Sequence, residues 1–195
     1  MGKKVIVLIG LLIAGFTGAV LLWALVYLPF KVVQPIEFIP MHLTEEIAME
    51  LEEKIDAFTS GDSGTIDLDR AELGFLLKTG LVEELGIDVT SLSVDLEEGW
   101  ITVIVQVRVT DIPSTGYLTW ILTRRDVEYT TTLVSARVWA EQGKVAYELL
   151  DFRVGSFRIP QFLVRRILGN GRRSVGGLYI GEVGFHDGVL QVTRN

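Results

Sequence analysis

Leu92-Ser-Val-Asp-Leu-Glu-Glu-Gly-Trp100-Ile-Thr-Val-Ile-Val-Gln-Val-Arg-Val109 is the stretch whose pattern decides the fold class. Ile101, Val103, Val105, Val107 and Val109 alternate with Trp100, Thr102, Ile104, Gln106 and Arg108, a period of two that belongs to a strand with one strongly apolar face. Leu92, Val94 and Leu96 repeat that period across Glu97-Glu98-Gly99, so the two runs fold back on each other as a hairpin. The same reasoning predicts a second hairpin from Tyr129 to Val154, turning at Glu141 to Lys144. A third is expected from about Leu178 to Thr193, turning at Asp187-Gly188.

Upstream of the first hairpin the period is helical. Thr44 can cap a helix that opens with Glu45 and Glu46 and carries Ile47, Leu51, Ile55 and Phe58 at helical spacing. Thr59 to Gly64 reads as a turn, and Asp69 with Glu72 forms a capping box for a second helix. Leu73, Leu76 and Leu77 supply its buried side, with Gly80 as its expected stop. The reading is an α+β fold, a curved antiparallel sheet of long hairpins packed on two to three helices.

A different element precedes that domain. From Val5 to Phe30 there are 26 consecutive residues without a formal charge, directly after Lys3 and Lys4. About 20 apolar residues suffice to cross a bilayer core as a helix, so an N-terminal transmembrane helix is expected. A signal peptide also starts with lysines and an apolar stretch, but its apolar region runs only about 7 to 15 residues. The lysines place the N-terminus in the cytoplasm and the rest of the chain outside the cell membrane. Residues 1–33 then form the cytoplasmic tip and anchor, 34–41 a stalk extended by Pro35 and Pro40, and 42–195 the extracytoplasmic domain. Gly10, Ala14 and Gly18 stack on one face of the anchor and could admit a partner helix from another membrane protein.

The chain holds no cysteine, which excludes a disulfide framework and a lipoprotein acylation site. Charge is unevenly distributed: residues 34–98 hold 17 acidic and 3 basic side chains, whereas residues 99–195 hold 8 acidic and 12 basic. From Phe152 to Gly181 there is no acid, yet there are six arginines, Arg153, Arg158, Arg165, Arg166, Arg172 and Arg173. Arginine suits bidentate contact with phosphate or carboxylate. The net negative exterior argues against nucleic acid as a partner.

No catalytic signature emerges, and an enzyme is not expected. Gly61-Asp62-Ser63-Gly64 resembles the nucleophile loop of chymotrypsin-like proteases, but His42, the sole upstream histidine, lies only about 20 residues away, where a triad needs partners placed by a double barrel. A plain turn explains it better. With only His42 and His186, no histidine-rich metal site is available, and Asp67 with Asp69, or Glu97 with Glu98, lack further oxygen ligands at motif spacing. No metal or other cofactor is implied. Gly169-Asn170-Gly171 and Gly176-Gly177 flank Arg172, Arg173 and Ser174 without the ending of a phosphate loop.

Val-Gly-Ser-Phe-Arg-Ile-Pro from Val154, followed by Gln-Phe-Leu-Val-Arg-Arg-Ile-Leu to Leu168, resembles the strand, glycine, apolar, proline and short-helix element of the YpmS-type family of single-pass extracytoplasmic bacterial proteins. The order of parts is similar too: an anchor, a helix opened by Leu43 and Thr44, a capped helix at Glu72 and Leu73, then long strands. More loosely, the layout is similar to tubular lipid-binding (TULIP and AsmA-like) folds. That similarity implies an apolar groove under a curved sheet.

Such a groove would be lined by Val103, Val105 and Val107 of the sheet and by Leu73 and Leu77 of the second helix. Headgroup or membrane contact is expected from Phe162, Arg165, Arg166, Arg172 and Arg173, because an aromatic beside arginines suits an anionic boundary. The competing reading packs the aliphatic arc Leu163, Val164, Ile167 and Leu168 on the sheet and pairs the arginines with acidic residues. Tyr117 to Leu122 with Arg124 and Arg125 is a second candidate membrane-touching stretch, equally explained as core. Two functions follow: a binding module for a membrane lipid or other amphipath, or a non-catalytic assembly subunit of a membrane complex.

Overall fold

The computed structural model describes residues 28–111, 122–124, 126–162, 171–173 and 179–194. Gly10, Ala14 and Gly18, with nearly all of the expected anchor, lie outside them, as do Arg165 and Arg166. Among the described residues no helix is long and apolar enough to cross a membrane.

Among the described residues, three α-helices of six residues or more and nine strands follow in order, with a 3-10 turn at Val109–Asp111. Helix α1 (Leu28–Val33) takes in the last three residues of the uncharged run. Helix α2 (Glu45–Ser60) begins at Thr44, whose Oγ1 accepts from Ile47 N, and its acidic first turn meets the positive end of the helix dipole. No basic residue occupies its last turn, and the cation there comes from the far end of the chain, where Arg194 Nη1 donates to Phe58 O at 2.8 Å.

Strand β1 (Thr65–Leu68) leads into helix α3 (Arg70–Leu85), which carries the expected capping box: Glu72 N donates to Asp69 Oδ1 at 2.8 Å and Asp69 N to Glu72 Oε2 at 2.9 Å. The helix does not stop at Gly80. It runs to Leu85 and ends on Gly86 at φ 65°, where Gly86 N donates to Val82 O and Ile87 N to Leu81 O, both at 3.1 Å. Carrying the helix past Gly80 packs Leu81 against the main core, which outweighs the roughly 1 kcal/mol that a helical glycine costs. A methyl added at Gly80 meets nothing within 4 Å, so Gly80→Ala should raise stability by about 0.5–1 kcal/mol, read as a higher urea midpoint with an unchanged m-value.

All three hairpins form. They are β2 (Val89–Glu97) with β3 (Trp100–Arg108), β4 (Tyr129–Glu141) with β5 (Lys144–Val154), and β8 (Ile180–His186) with β9 (Val189–Arg194). The first two join in one antiparallel sheet of order β2-β3-β4-β5-β6, completed by the two-residue β6 (Phe157–Arg158) and by β7 (Gly171–Arg173), which also pairs with β5. Register places Leu92 beside Val105 and Thr132, and Val94 beside Val103 and Val134, so one face is predominantly apolar. The third hairpin does not extend this sheet. It pairs instead with β1 in a separate three-stranded sheet, Thr65 opposite Thr193 and Leu68 opposite Leu190. Four residues of alternation in β1 are too few to stand out from the preceding turn in the sequence, and tertiary burial of Ile66 and Leu68 selects the strand.

The main core lies between the larger sheet, α2, α3 and the smaller sheet. It gathers Leu51, Phe58, Ile66, Leu68, Leu73, Val94, Val105, Val107, Ile180 and Leu190. A second cluster sits where α1 meets the domain, built from Val32, Val109, Leu122 and Val154, with Phe152, Phe157 and Ile159 packed around it.

Candidate functional site

The five expected groove residues are spent on the main core. Val105, Val107 and Leu73 are buried members of it, and Val103 and Leu77 pack against it partly buried. The strand period correctly marks Val103, Val105 and Val107 as inward-facing, but periodicity reports which face is covered and not what covers it. Leu73 of α3 and Leu92 of β2 belong to the same cluster, so protein side chains surround these valines.

The second cluster is where the chain builds something less ordinary. Val32, one residue past Lys31, is 1% exposed. The turn Gly155-Ser156 closes over it: Ser156 N donates to Lys31 O at 3.0 Å and Gln34 O at 2.9 Å, and Ser156 Oγ lies 2.8 Å from Gln34 Oε1. Gly155 has φ 55°, and a Cβ there would stand 2.2 Å from Val32 O and 2.6 Å from Gln34 O, so only glycine admits this approach. Gly155 N in turn donates to Thr131 O at 2.7 Å. Residues 35–41 form neither helix nor strand and are stitched down on the domain: Ile36 N donates to Thr131 Oγ1 at 2.7 Å and Met41 N to Leu92 O at 2.8 Å. The expected stalk is thus a strap laid on the domain.

Beside the clasp, β5 and β6 place Arg153 directly opposite Arg158. Like charges facing across a ladder repel, and Asp151 offsets this pair. Its Oδ2 accepts from Arg153 Nε at 2.8 Å, with Arg153 Nη2 in ion-pair contact at 2.7 Å, and Arg158 Nε is in ion-pair contact with Oδ1 at 2.7 Å without hydrogen-bond geometry. The carboxylate is 13% exposed and the two arginines 42% and 62%. Gln161 Nε2 donates to Leu150 O on the same edge, and Phe162 follows at 70% exposure.

The expected headgroup residues do not gather in one place. Phe162 follows Gln161, which bonds to Leu150 O partway along β5, and Arg165 and Arg166 lie outside the described residues. Arg172 and Arg173 sit in β7 opposite Ala146 and Val145, eight and nine residues along β5 from Val154 and so roughly 25–30 Å away along the strand. In the second candidate membrane-touching stretch, Leu122 is core at 1% exposure and Arg124 is exposed. Sequence reasoning counted Arg153 and Arg158 in the basic tract but gave them no role. The available signal was the two-residue turn at Gly155-Ser156, which fixes 153 opposite 158.

No family model, curated protein or solved structure matches this chain. The site therefore rests on its own geometry.

The remaining candidates resolve as structure. Ser63 Oγ donates to Thr65 O within its turn. Asp67 Oδ1 accepts from Gln191 Nε2 at 2.9 Å, and Asp69 serves the capping box. A small cleft of about 140 Å³ lies between two hairpin turns, lined by Leu96, Glu97, Glu98, Phe185, His186 and Asp187. Among the described residues no three His, Cys, Asp or Glu side chains converge as metal ligands.

Proposed function

We propose that the protein is a single-pass membrane protein that presents a non-catalytic binding module at the outer face of the cell membrane, where it engages a lipid or other amphipathic ligand. The observation that carries this reading is the seat of Val32 under Gly155-Ser156. A chain that leaves the bilayer at Phe30 and enters a packed core two residues later has no free tether, so the domain is held at headgroup height. The ligand is met at the membrane-side surface, since the valines expected to line an interior groove belong to the main core.

A second reading, a structural or assembly subunit, is favoured by that same core. The two separate in one experiment on the full-length protein. It is purified in mild detergent, its native mass is recorded, and an organic extract of the same sample is analysed. A stoichiometric lipid adduct is expected. A clean apo mass, with a partner protein captured by crosslinking through the intact anchor, would replace the lipid reading by the assembly one.

A further inference from the structure

We infer that Arg153 and Arg158, clamped by Asp151 beside the anchor, form a binding site for the phosphate of an anionic phospholipid headgroup. The inference rests on the reading that Val5 to Phe30 crosses the membrane.

Charge is the first argument. One carboxylate faces two guanidiniums, so the group keeps a net positive charge, with Arg153 held by a hydrogen bond and Arg158 drawn in as an ion pair. Asp151 accepts one hydrogen bond, from Nε of Arg153, and holds Arg153 Nη2 and Arg158 Nε in ion-pair contact at 2.7 Å. A guanidinium carries five N–H donors in a planar fork, so donors beyond these remain to face a phosphate. Pre-orientation by Asp151 lowers the side-chain entropy lost when the anion binds.

Position is the second. Ser156 bonds directly to the carbonyl of Lys31, the first residue after the uncharged run. Arg158 is two residues beyond Ser156, about 7 Å of extended chain. Each headgroup layer is about 5–8 Å thick, so an arginine rooted there reaches phosphate level without any movement of the domain. An acidic peptide could satisfy the arginines chemically, but it would have to compete with headgroup phosphates held at high local concentration by the anchor itself.

The test uses the full-length protein in detergent, titrated with phosphatidylglycerol or phosphatidylcholine and read by native mass spectrometry. Wild type should retain one phosphatidylglycerol in preference to phosphatidylcholine, and Arg158→Gln should reduce that preference about tenfold. Arg158 is the choice because Asp151 keeps Arg153 as its partner, which protects the fold; an unchanged melting temperature checks this. Arg172→Gln with Arg173→Gln, at the far end of β5, should leave the preference intact. Equal retention of both lipids by wild type, or full preference in Arg158→Gln, overturns the site. Displacement of the lipid by millimolar inorganic phosphate marks a general anion site and overturns the lipid assignment. A native mass with an acidic peptide bound in place of lipid does the same. Carbonate extraction of the protein from membranes separates the two failures. A protein released by carbonate sinks the anchor and the site together, whereas a carbonate-resistant protein without lipid preference sinks the site alone.

Discussion

Gly155→Val should detach the strap from the domain. Valine at φ 55° is strained by itself, and its Cβ would stand 2.2 Å from Val32 O, a distance that backbone cannot absorb by rotating a side chain. The turn must open, and with it go the Ser156 bonds to Lys31 and Gln34 and the burial of Val32. The expected loss is about 3 kcal/mol or more in unfolding of the full-length protein. Trypsin should also cut after Lys31 much faster than in wild type, since the peptide now held by Ser156 becomes accessible. Ser156→Ala, which removes only the hydroxyl contact, should cost about 1 kcal/mol and leave cleavage nearly unchanged. Wild-type cleavage rates in Gly155→Val would mean that the clasp does not hold the strap down, and the membrane-side placement of the domain would lose its support.

The second large effect concerns a buried charge. Glu72 is 3% exposed, with Oε2 bound to the Asp69 amide and Oε1 2.5 Å from Lys54 Nζ on α2. Lys54→Met leaves that carboxylate buried with only one amide donor. Removing one partner of a buried pair commonly costs about 3–5 kcal/mol, and because the Lys54 side chain is 45% exposed a value of about 2–3 is expected. Lys54→Met combined with Glu72→Met removes both charges and should recover much of the loss despite breaking half of the capping box. Urea unfolding of the four proteins in the cycle measures the coupling. If Lys54→Met falls within about 0.5 kcal/mol of wild type, the pair does not join α2 to α3 as the structure suggests.

Both sites show what could be read along the chain and what could not. The Asp69–Glu72 capping box was legible because its two hydrogen bonds span three residues, and so was the α2 cap at Thr44. Glu72 has a second role, as the buried partner of Lys54, and that depends on a contact between two helices. Likewise Val154-Gly155-Ser156 stood out as a motif, while its partner, the backbone of Lys31 to Gln34, lies more than 120 residues away.

Legible along the chain were the three hairpins with their turns, the starts of α2 and α3, and the inward face of β3. These are set by period, caps and turn residues acting over a few positions. Only the tertiary structure decided that α3 runs through Gly80 to bury Leu81, that β1 and the third hairpin form their own sheet, and that Arg194 completes the end of α2. It likewise decided that the expected groove residues pack in or against the main core, that residues 36–41 are bonded onto the domain, and that Arg153 and Arg158 share Asp151. Apolar and charged side chains announce that they need a partner; which partner they get depends on which distant segments the chain brings within a few ångströms.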